Sequence, residues 1–341
     1  MPQDSQNSEQ TPQETPTAEP QLSALDSGLL NIKNFKAMLL DAWNKITNLE
    51  QTNFALAVKF MSQGAYKDAA LRLRMVLWIN PKNPYAHYLL GKSYVYLGRK
   101  DLAVAPLKTA LKAKPELEEA SYLLAACGIG AVPERVPPSL MIEQIESIVS
   151  IYESQIANGL NRPVYELGTK MLFEELNGKQ GFDILDLDMR TGRSGEYILP
   201  VANHIVGVEP CMQMISQARN RRIDDRLVYN ELITKTAKDQ LKREERKFGI
   251  IQSYFSSNAH GSLAEFFELV AKSLQPNALF LIACEGAAGE GFVFNTSKMT
   301  FQHSETYIKK VADKAGFDFI RQEKVNYQSS AFDLVFLFRK K

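Results

Sequence analysis

The chain has 341 residues, of which 45% are hydrophobic and 23% are charged, a composition typical of a globular protein with about two domains. Its 40 Lys and Arg residues balance 39 Asp and Glu residues, so the net charge of +1 disfavours a general nucleic-acid-binding protein. The three cysteines lie far apart without CxxC spacing, which disfavours a disulfide framework or a zinc site and favours a reducing, cytoplasmic location.

The amino-terminal residues predict a disordered tail. Residues 1–24 are rich in Gln, Pro, Ser, Thr and Glu, and they contain too few apolar side chains to offset the entropy lost on ordering. The segment has neither the basic start nor the apolar stretch of a signal peptide. No run of about 18 apolar residues follows, so we expect no insertion into a membrane.

Residues 25–130 predict a domain of helical repeats. Apolar residues at helical spacing over 29–48 indicate one amphipathic helix or two short ones, and units 50–83 and 84–117 then repeat with a period of 34 residues. A further helix is predicted at 118–127, without a full partner.

Small and breaking residues mark the turns of these units. Gly64 and Gly98 fall between the two helices of each unit, and Pro81 and Pro115 follow the second helices, because proline cannot continue a helix. In period and in these positions the segment resembles the tetratricopeptide repeat. The resemblance implies a groove for a protein or peptide partner; the alternative is a structural cap on the following domain.

The second half predicts a doubly wound α/β domain. Residues 131–140 contain three prolines and predict a linker, residues 141–176 are helical, and the domain extends to 341. Apolar strands then alternate with helices, which indicates a mostly parallel sheet, and the last two strands leave no room for a helix and predict an antiparallel hairpin. The predicted strands are 183–188, 204–209, 227–230, 248–254, 278–285, 317–327 and 332–339.

The first of these strands runs into a turn and a helix start, ILDLDMRTGRSG over 184–195, and the next strand ends at Glu209. In a dinucleotide-type site, glycines let the ligand approach the turn and an acid after the second strand binds the ribose hydroxyls. The segment resembles the first motif of class I S-adenosylmethionine (SAM)-dependent methyltransferases, roughly D-x-G-x-G-T-G, and 207–219 resembles the second motif. The order of domains is similar to that of bacterial methyltransferases with tetratricopeptide repeats, over about residues 50–341.

The resemblance implies a fold, a cofactor and site residues. The fold would be helical repeats followed by a Rossmann-like, seven-stranded, mostly parallel sheet with a carboxyl-terminal antiparallel hairpin. The cofactor of an active member would be SAM, without a metal. The residues expected to hold it are Asp186, Asp188, Gly192, Glu209 and Asn230.

Two positions of the first motif depart from the family pattern, because Asp188 and Arg190 stand where it has glycine. Their side chains occupy the space of the cofactor or force the loop to move, and a positive φ there adds strain of about 1–2 kcal/mol each. Asp188 either contacts the cofactor or, as we favour, pairs with Arg190 and closes the pocket.

Two histidines are candidates for a general base. His303 precedes Ser304, a good N-cap, and is alternatively a helix-entry residue. His260 lies in a loop after the fourth strand. Two functions therefore stay open: a SAM-dependent methyltransferase acting on a partner bound by the repeats, and a non-catalytic scaffold or adaptor with the same fold. A small-ligand sensor that retains Glu209 is a third, more distant alternative.

Overall fold

The computed structural model describes residues 24–159, 162–327 and 331–341. The predicted tail lies outside the described residues except for Ala24, where the first helix begins. Seven helices make up the described amino-terminal half: α1 (Ala24–Ser62), α2 (Tyr66–Ile79), α3 (Pro84–Tyr96), α4 (Lys100–Ala113), α5 (Glu118–Ala126), α6 (Pro138–Ala157) and α7 (Arg162–Leu176).

The helical hairpins follow the predicted repeat. Gly64 and Gly98 end their helices with φ values of 71° and 73°, a conformation that glycine adopts without strain. Gly91 lets α3 approach α4, since a Cβ there would lie 2.5 Å from Leu107 Cγ. The first helix of the repeats is continuous with the predicted amphipathic helix, because no Gly or Pro interrupts residues 29–62.

The carboxyl-terminal half alternates short helices with strands. The helices are α8 (Arg193–Ile198), α9 (Met212–Ala218), α10 (Ala237–Leu241), α11 (Ala264–Ser273) and α12 (Glu305–Lys314). The strands are β1 (Phe182–Leu187), β2 (Ala202–Val208), β3 (Arg222–Ile223), β4 (Arg226–Leu227), β5 (Glu231–Ile233), β6 (Phe248–Ser253), β7 (Leu274–Glu285), β8 (Phe292–Asn295), β9 (Thr300–His303), β10 (Phe317–Asn326) and β11 (Phe332–Lys340).

A seven-stranded sheet organises this half in the order β10-β11-β7-β6-β1-β2-β5. The five strands from β7 to β5 are parallel, and β11 and β10 are antiparallel, which confirms the predicted architecture. Successive residues of β1 enter opposite cores, with Ile184 packed on one face and Leu185 on the other. The chain therefore has helical repeats followed by a Rossmann-like, seven-stranded, mostly parallel sheet with an antiparallel carboxyl-terminal hairpin.

One predicted strand was wrong, and one hairpin was not predicted. The third strand of the sheet is β5, not residues 227–230, because the Val228 amide bonds to the carbonyl of Arg221 and pairing with β2 starts at Glu231. The hairpin β8–β9 was not predicted, because its apolar residues pack against the helical repeats and the hairpin does not belong to the seven-stranded sheet.

The same hairpin joins the two halves. Phe294 and Phe301 share a core with Tyr122 of α5, and Val136 and Leu140 of the proline-rich segment are buried in it. The hydroxyl of Tyr122 also donates to the carbonyl of Met299. The segment predicted as a linker is thus packed, and the domain boundaries stay a prediction. Among the residues that the structure describes, no helix is both long and apolar enough to cross a membrane.

Candidate functional site

The turn after β1 keeps a glycine-like backbone at two non-glycine residues. Asp188 and Arg190 have φ values of 59° and 53°, and Gly192, which caps α8, has 86°. Each of the two non-glycine residues carries strain of about 1–2 kcal/mol. The surrounding contacts must offset this cost, so they show what the two side chains do.

Arg190 forms a buried ion pair with Glu209, the acid that follows β2. Its Nη1 lies 2.7 Å from Glu209 Oε2, and its own backbone amide donates to the same oxygen at 3.2 Å. Glu209 Oε1 accepts from the amide of Cys211 at 2.9 Å, and the Glu209 side chain has 0% exposure. Phe255 covers the guanidinium, 4.7 Å from its ring centroid. The carboxylate expected to hold a ribose is thus engaged by the protein itself.

Asp188 does not form the predicted pair with Arg190. Its carboxylate accepts instead from the hydroxyl of Ser256, in the short 3-10 turn that follows β6. Burial raises the pKa of Asp188 to about 7, the Arg190 charge opposes this shift, and the charges of Glu209 and Asp186 add to it. Arg190 pairs with Glu209 instead, because its longer side chain reaches the acid that follows β2. The predicted closure of the pocket stays a prediction.

Asp186 lies beneath the turn and is fully buried. It accepts hydrogen bonds from the hydroxyls of Tyr229 at 2.6 Å and Ser194 at 2.7 Å. Burial raises its pKa to about 6 against these hydrogen bonds. The carboxylate therefore organises the turn from below.

The glycines around this carboxylate accommodate an aromatic ring. A Cβ on Gly192 would lie 2.8 Å from Tyr229 Cε2, one on Gly195 2.5 Å from the Tyr229 hydroxyl, and one on Gly207 2.7 Å from Tyr229 Cδ1. A side chain at any of these three positions would therefore collide with the Tyr229 ring. Tyr229 escaped the sequence analysis because its segment was assigned to a strand.

Asn230 lies at the opposite end of the third strand from the expected site. It precedes β5, and its side-chain oxygen accepts from the amide of Ile205 at 2.8 Å. Ligands of parallel sheets bind at the carboxyl ends of strands. Asn230 therefore supports strand pairing, and the structure does not place it at the predicted cofactor site.

The two histidines are packed inside the protein. His303 is fully buried, its Nε2 donates to the carbonyl of Gly261 at 3.0 Å, and its ring stacks on Tyr307. His260 lies near Phe266 and, with Asp188, borders a small cavity of about 40 Å³. Burial lowers the pKa of both imidazoles to about 4, so both are neutral at pH 7. A catalytic role for either stays a prediction.

A cavity of about 420 Å³ opens beside the Arg190–Phe255 contact. It lies at the carboxyl ends of β6 and β7 and at the start of β11. No role was predicted for Glu285 and Asp333 of its wall, although both stand at strand ends, where such residues are available to a ligand. The wall includes Tyr152, Tyr165, Tyr254, Phe255, Glu285, Lys298, Tyr327, Phe332 and Asp333.

A second cavity, of about 560 Å³, lies between the first repeat and α6. Val58, Met61 and Leu89 line it from the repeats. Lys92 of α3 pairs there with Glu143 of α6, and the Lys92 side chain is only 8% exposed. The groove of the repeats is therefore partly closed by the chain's own helix. Among the described residues, no group of three or more His, Cys, Asp or Glu side chains is placed to hold a metal ion.

Comparison with known families supports the repeats. Residues 60–127 match the tetratricopeptide repeat family. A curated relative, the DnaJ homolog subfamily C member 3 homolog of Dictyostelium discoideum, is 29% identical over 86 residues. That match covers 25% of this chain and 17% of the relative, so the chain spans under a fifth of the relative's length.

Several solved methyltransferases are similar in structure at low identity. The 1,6-didemethyltoxoflavin-N1-methyltransferase of Burkholderia thailandensis, solved with S-adenosylhomocysteine, is 15% identical, covering 62% of this chain and 93% of that chain with a TM-score of 0.49. The N-methyltransferase NodS of Bradyrhizobium japonicum is 16% identical, with coverages of 51% and 86% and a TM-score of 0.41. The magnesium protoporphyrin IX methyltransferase of Synechocystis is 11% identical, with coverages of 69% and 97% and a TM-score of 0.43. The strand order of the sheet carries the assignment: this chain joins tetratricopeptide repeats to a methyltransferase-like fold.

Proposed function

We propose that this chain is a non-catalytic methyltransferase-like protein that acts as an adaptor for a protein partner. The methyltransferase-like domain, 141–341, would serve as a rigid body for the repeats of 25–130. A cytoplasmic location belongs to the same proposal, supported by the three free cysteines. The observation that carries the proposal is the buried ion pair of Arg190 with Glu209.

The residues of the turn do not fit SAM as they are arranged. The fold would place the cofactor over the carboxyl ends of β1 and β2, with its ribose on the acid after β2. Glu209 is fully buried there under the guanidinium of Arg190, and Phe255 covers the guanidinium in turn. Binding a nucleoside would require Arg190 to leave Glu209, which strands a buried charge and costs about 3–5 kcal/mol.

Calorimetry with SAM and S-adenosylhomocysteine tests this proposal. We expect no binding to the wild-type protein at millimolar ligand. The double variant Asp188→Gly with Arg190→Gly restores the glycine pattern of the family and frees Glu209, so we expect it to bind both ligands. Ligand at 100 times its dissociation constant would stabilise this variant by about 2.7 kcal/mol in a thermal unfolding experiment.

The matched control replaces two aspartates on the surface. Asp224 and Asp225 also have positive φ values, 46° and 63°, and both are exposed. Converting both to glycine relieves similar backbone strain outside the turn and leaves Arg190 on Glu209, so we expect no binding. Micromolar binding of SAM by the wild-type protein would overturn the non-catalytic assignment and favour the methyltransferase, with SAM as its cofactor.

The adaptor role is supported by the repeats and by the cavity between the first repeat and α6. Val58 lines that cavity and is 46% exposed. A photo-crosslinking amino acid at position 58 should trap the partner in cells. The same amino acid at the exposed Lys108, which does not line the cavity, should not. Equal labelling from both positions would argue against binding in the groove.

A further inference from the structure

Two carboxylates face each other across the antiparallel strands β7 and β11. Glu285 and Asp333 are direct partners in the register of these strands. Like charges directly opposite each other on antiparallel strands are destabilising. Burial raises the pKa of Asp333, and the charge of Glu285 raises it further. The fold thus maintains an unfavourable pair at this position.

The pair lies on the wall of the 420 Å³ cavity, among aromatic rings. Tyr152 and Phe255 line the cavity, and Phe332 adjoins the carboxylates. The Phe332 ring is fixed against the backbone of Gly286, where a Cβ would come within 1.9 Å of its Cε2. Aromatic faces carry partial negative charge and attract cations. The wall therefore combines aromatic rings with two carboxylates.

The two carboxylates of the wall differ in their partners. Arg190 is neutralised by Glu209, and Lys298 pairs with Glu285 at 2.9 Å. Asp333 accepts from a neutral donor, the hydroxyl of Tyr327, at 2.6 Å. A second lysine, Lys324, lies with its Nζ 3.8 Å from the centroid of the Phe332 ring. Within the described residues, Asp333 is therefore the wall carboxylate that accepts from a neutral donor and has no ion pair.

We infer that this cavity binds an organic ammonium ion with a flat apolar body, its nitrogen held by Glu285 and Asp333 and its body between the aromatic rings. The cation would relieve the repulsion of the two carboxylates, and the body would fill the apolar volume. The charge of Asp333, which has no ion pair in the described residues, disfavours an anionic ligand. The inference rests on the proposed function in one respect, since Arg190 must stay on Glu209 to form the cavity wall.

A series of three ligands with the same indole body tests the charge requirement. Tryptamine is a cation at neutral pH, tryptophol is neutral and indole-3-propionate is an anion. By calorimetry we expect tryptamine to bind about tenfold more tightly than tryptophol, because charge-assisted hydrogen bonds are stronger than neutral ones. Indole-3-propionate should bind most weakly. Equal affinities, or tightest binding of the anion, would overturn the inference.

Variants of the wall locate the site. Glu285→Gln and Asp333→Asn should each weaken tryptamine about tenfold and leave tryptophol unchanged. Asp318→Asn is the matched control, because Asp318 is exposed at the start of β10 and does not line the cavity. Loss of tryptamine affinity in the control to the same extent would contradict the site.

One variant should bind tryptamine more tightly than the wild-type protein does, and a misfolded protein would not give this result. Lys298→Met removes the internal cation that competes for Glu285, so we expect tryptamine to bind several times more tightly. An unchanged or weaker affinity would contradict the charge argument. If tryptamine fails to bind while SAM also fails, the inference falls and the proposed function stands. If SAM binds to the wild-type protein, the proposed function falls whatever tryptamine does.

Discussion

The two ends of the carboxyl edge of the sheet hold similar charged residues in opposite states. At the β1–β2 end, Glu209 is fully buried and neutralised by Arg190, and backbone amides complete its hydrogen bonds. At the β7–β11 end, Glu285 and Asp333 oppose each other, and their lysine is half exposed. At the β1–β2 end, the protein itself supplies hydrogen-bond donors to both oxygens of the Glu209 carboxylate. The second end leaves charge and volume that a ligand can use.

The difference lies in the groups that satisfy the acids at the two ends. A single long side chain, Arg190, supplies from inside the protein the hydrogen bonds that a nucleoside would make to Glu209. No comparable residue reaches Asp333 within the described part of the wall, where its partner is the neutral hydroxyl of Tyr327. Matched substitutions at the two ends therefore test the comparison.

Loss of the arginine should have the largest effect. Arg190→Met leaves Glu209 buried without its partner, and we expect the free energy of unfolding to fall by about 3 kcal/mol in urea titrations. Its counterpart, Lys298→Met, removes a half-exposed partner and should cost less than about 1 kcal/mol. Equal losses at the two ends would contradict the contrast in burial.

The closed end should also make stability depend on pH. The pKa of Asp188 is raised to about 7 in the folded protein, above its ordinary value near 4. The folded state therefore holds the proton more tightly, and stability is lost as the pH rises from about 4 to 7. We expect Asp188→Asn to remove about 2 kcal/mol of this loss between pH 5 and pH 8.

Unfolding titrations at several pH values check this expectation against Asp318→Asn. The control should keep the slope of the wild-type protein, because Asp318 is exposed. A parallel slope in Asp188→Asn would show that other groups, such as Asp186 with its pKa of about 6, dominate the titration.

A pair of tyrosine substitutions should give a smaller difference. Tyr229→Phe removes the hydroxyl that donates to Asp186 and accepts from the amide of Gly195 at 3.1 Å, and we expect a loss of about 1.5 kcal/mol. Tyr327→Phe removes a hydroxyl from a more exposed carboxylate and should cost about 0.5 kcal/mol. Thermal unfolding of both variants measures the difference, and a larger loss in Tyr327→Phe would reverse our assignment of the two ends.

The smallest expected effect is a gain. Asp333→Asn removes the repulsion with Glu285, and we expect the unliganded protein to become more stable by about 0.5 kcal/mol. The gain should shrink as the pH falls, because burial raises the pKa of Asp333 and its protonation removes the repulsion in the wild-type protein as well. A destabilised variant at pH 7 would mean that the hydrogen bond from Tyr327 outweighs the repulsion.

The repeats and the sheet were predictable because their patterns are local. The 34-residue period, the turn glycines at 64 and 98, and the apolar strands of the second half depend on backbone conformation and burial alone. The hairpin β8–β9 was missed because Phe294 and Phe301 pack against the repeats. At the same contact, the Lys100 side chain donates to the carbonyl of Thr296, which lies 196 residues further along the chain. Long-range packing leaves no periodic trace in the sequence.

By itself the sequence determined the order of domains, the class of sheet and the presence of non-glycine residues at 188 and 190. Only the tertiary structure decided that Arg190 reaches Glu209 rather than Asp188, that Asn230 lies at the far end of its strand, and that Glu285 meets Asp333. The physical reason is that each of these facts depends on the register between strands and on the reach of a side chain. Both are set by packing between segments that are distant in the chain.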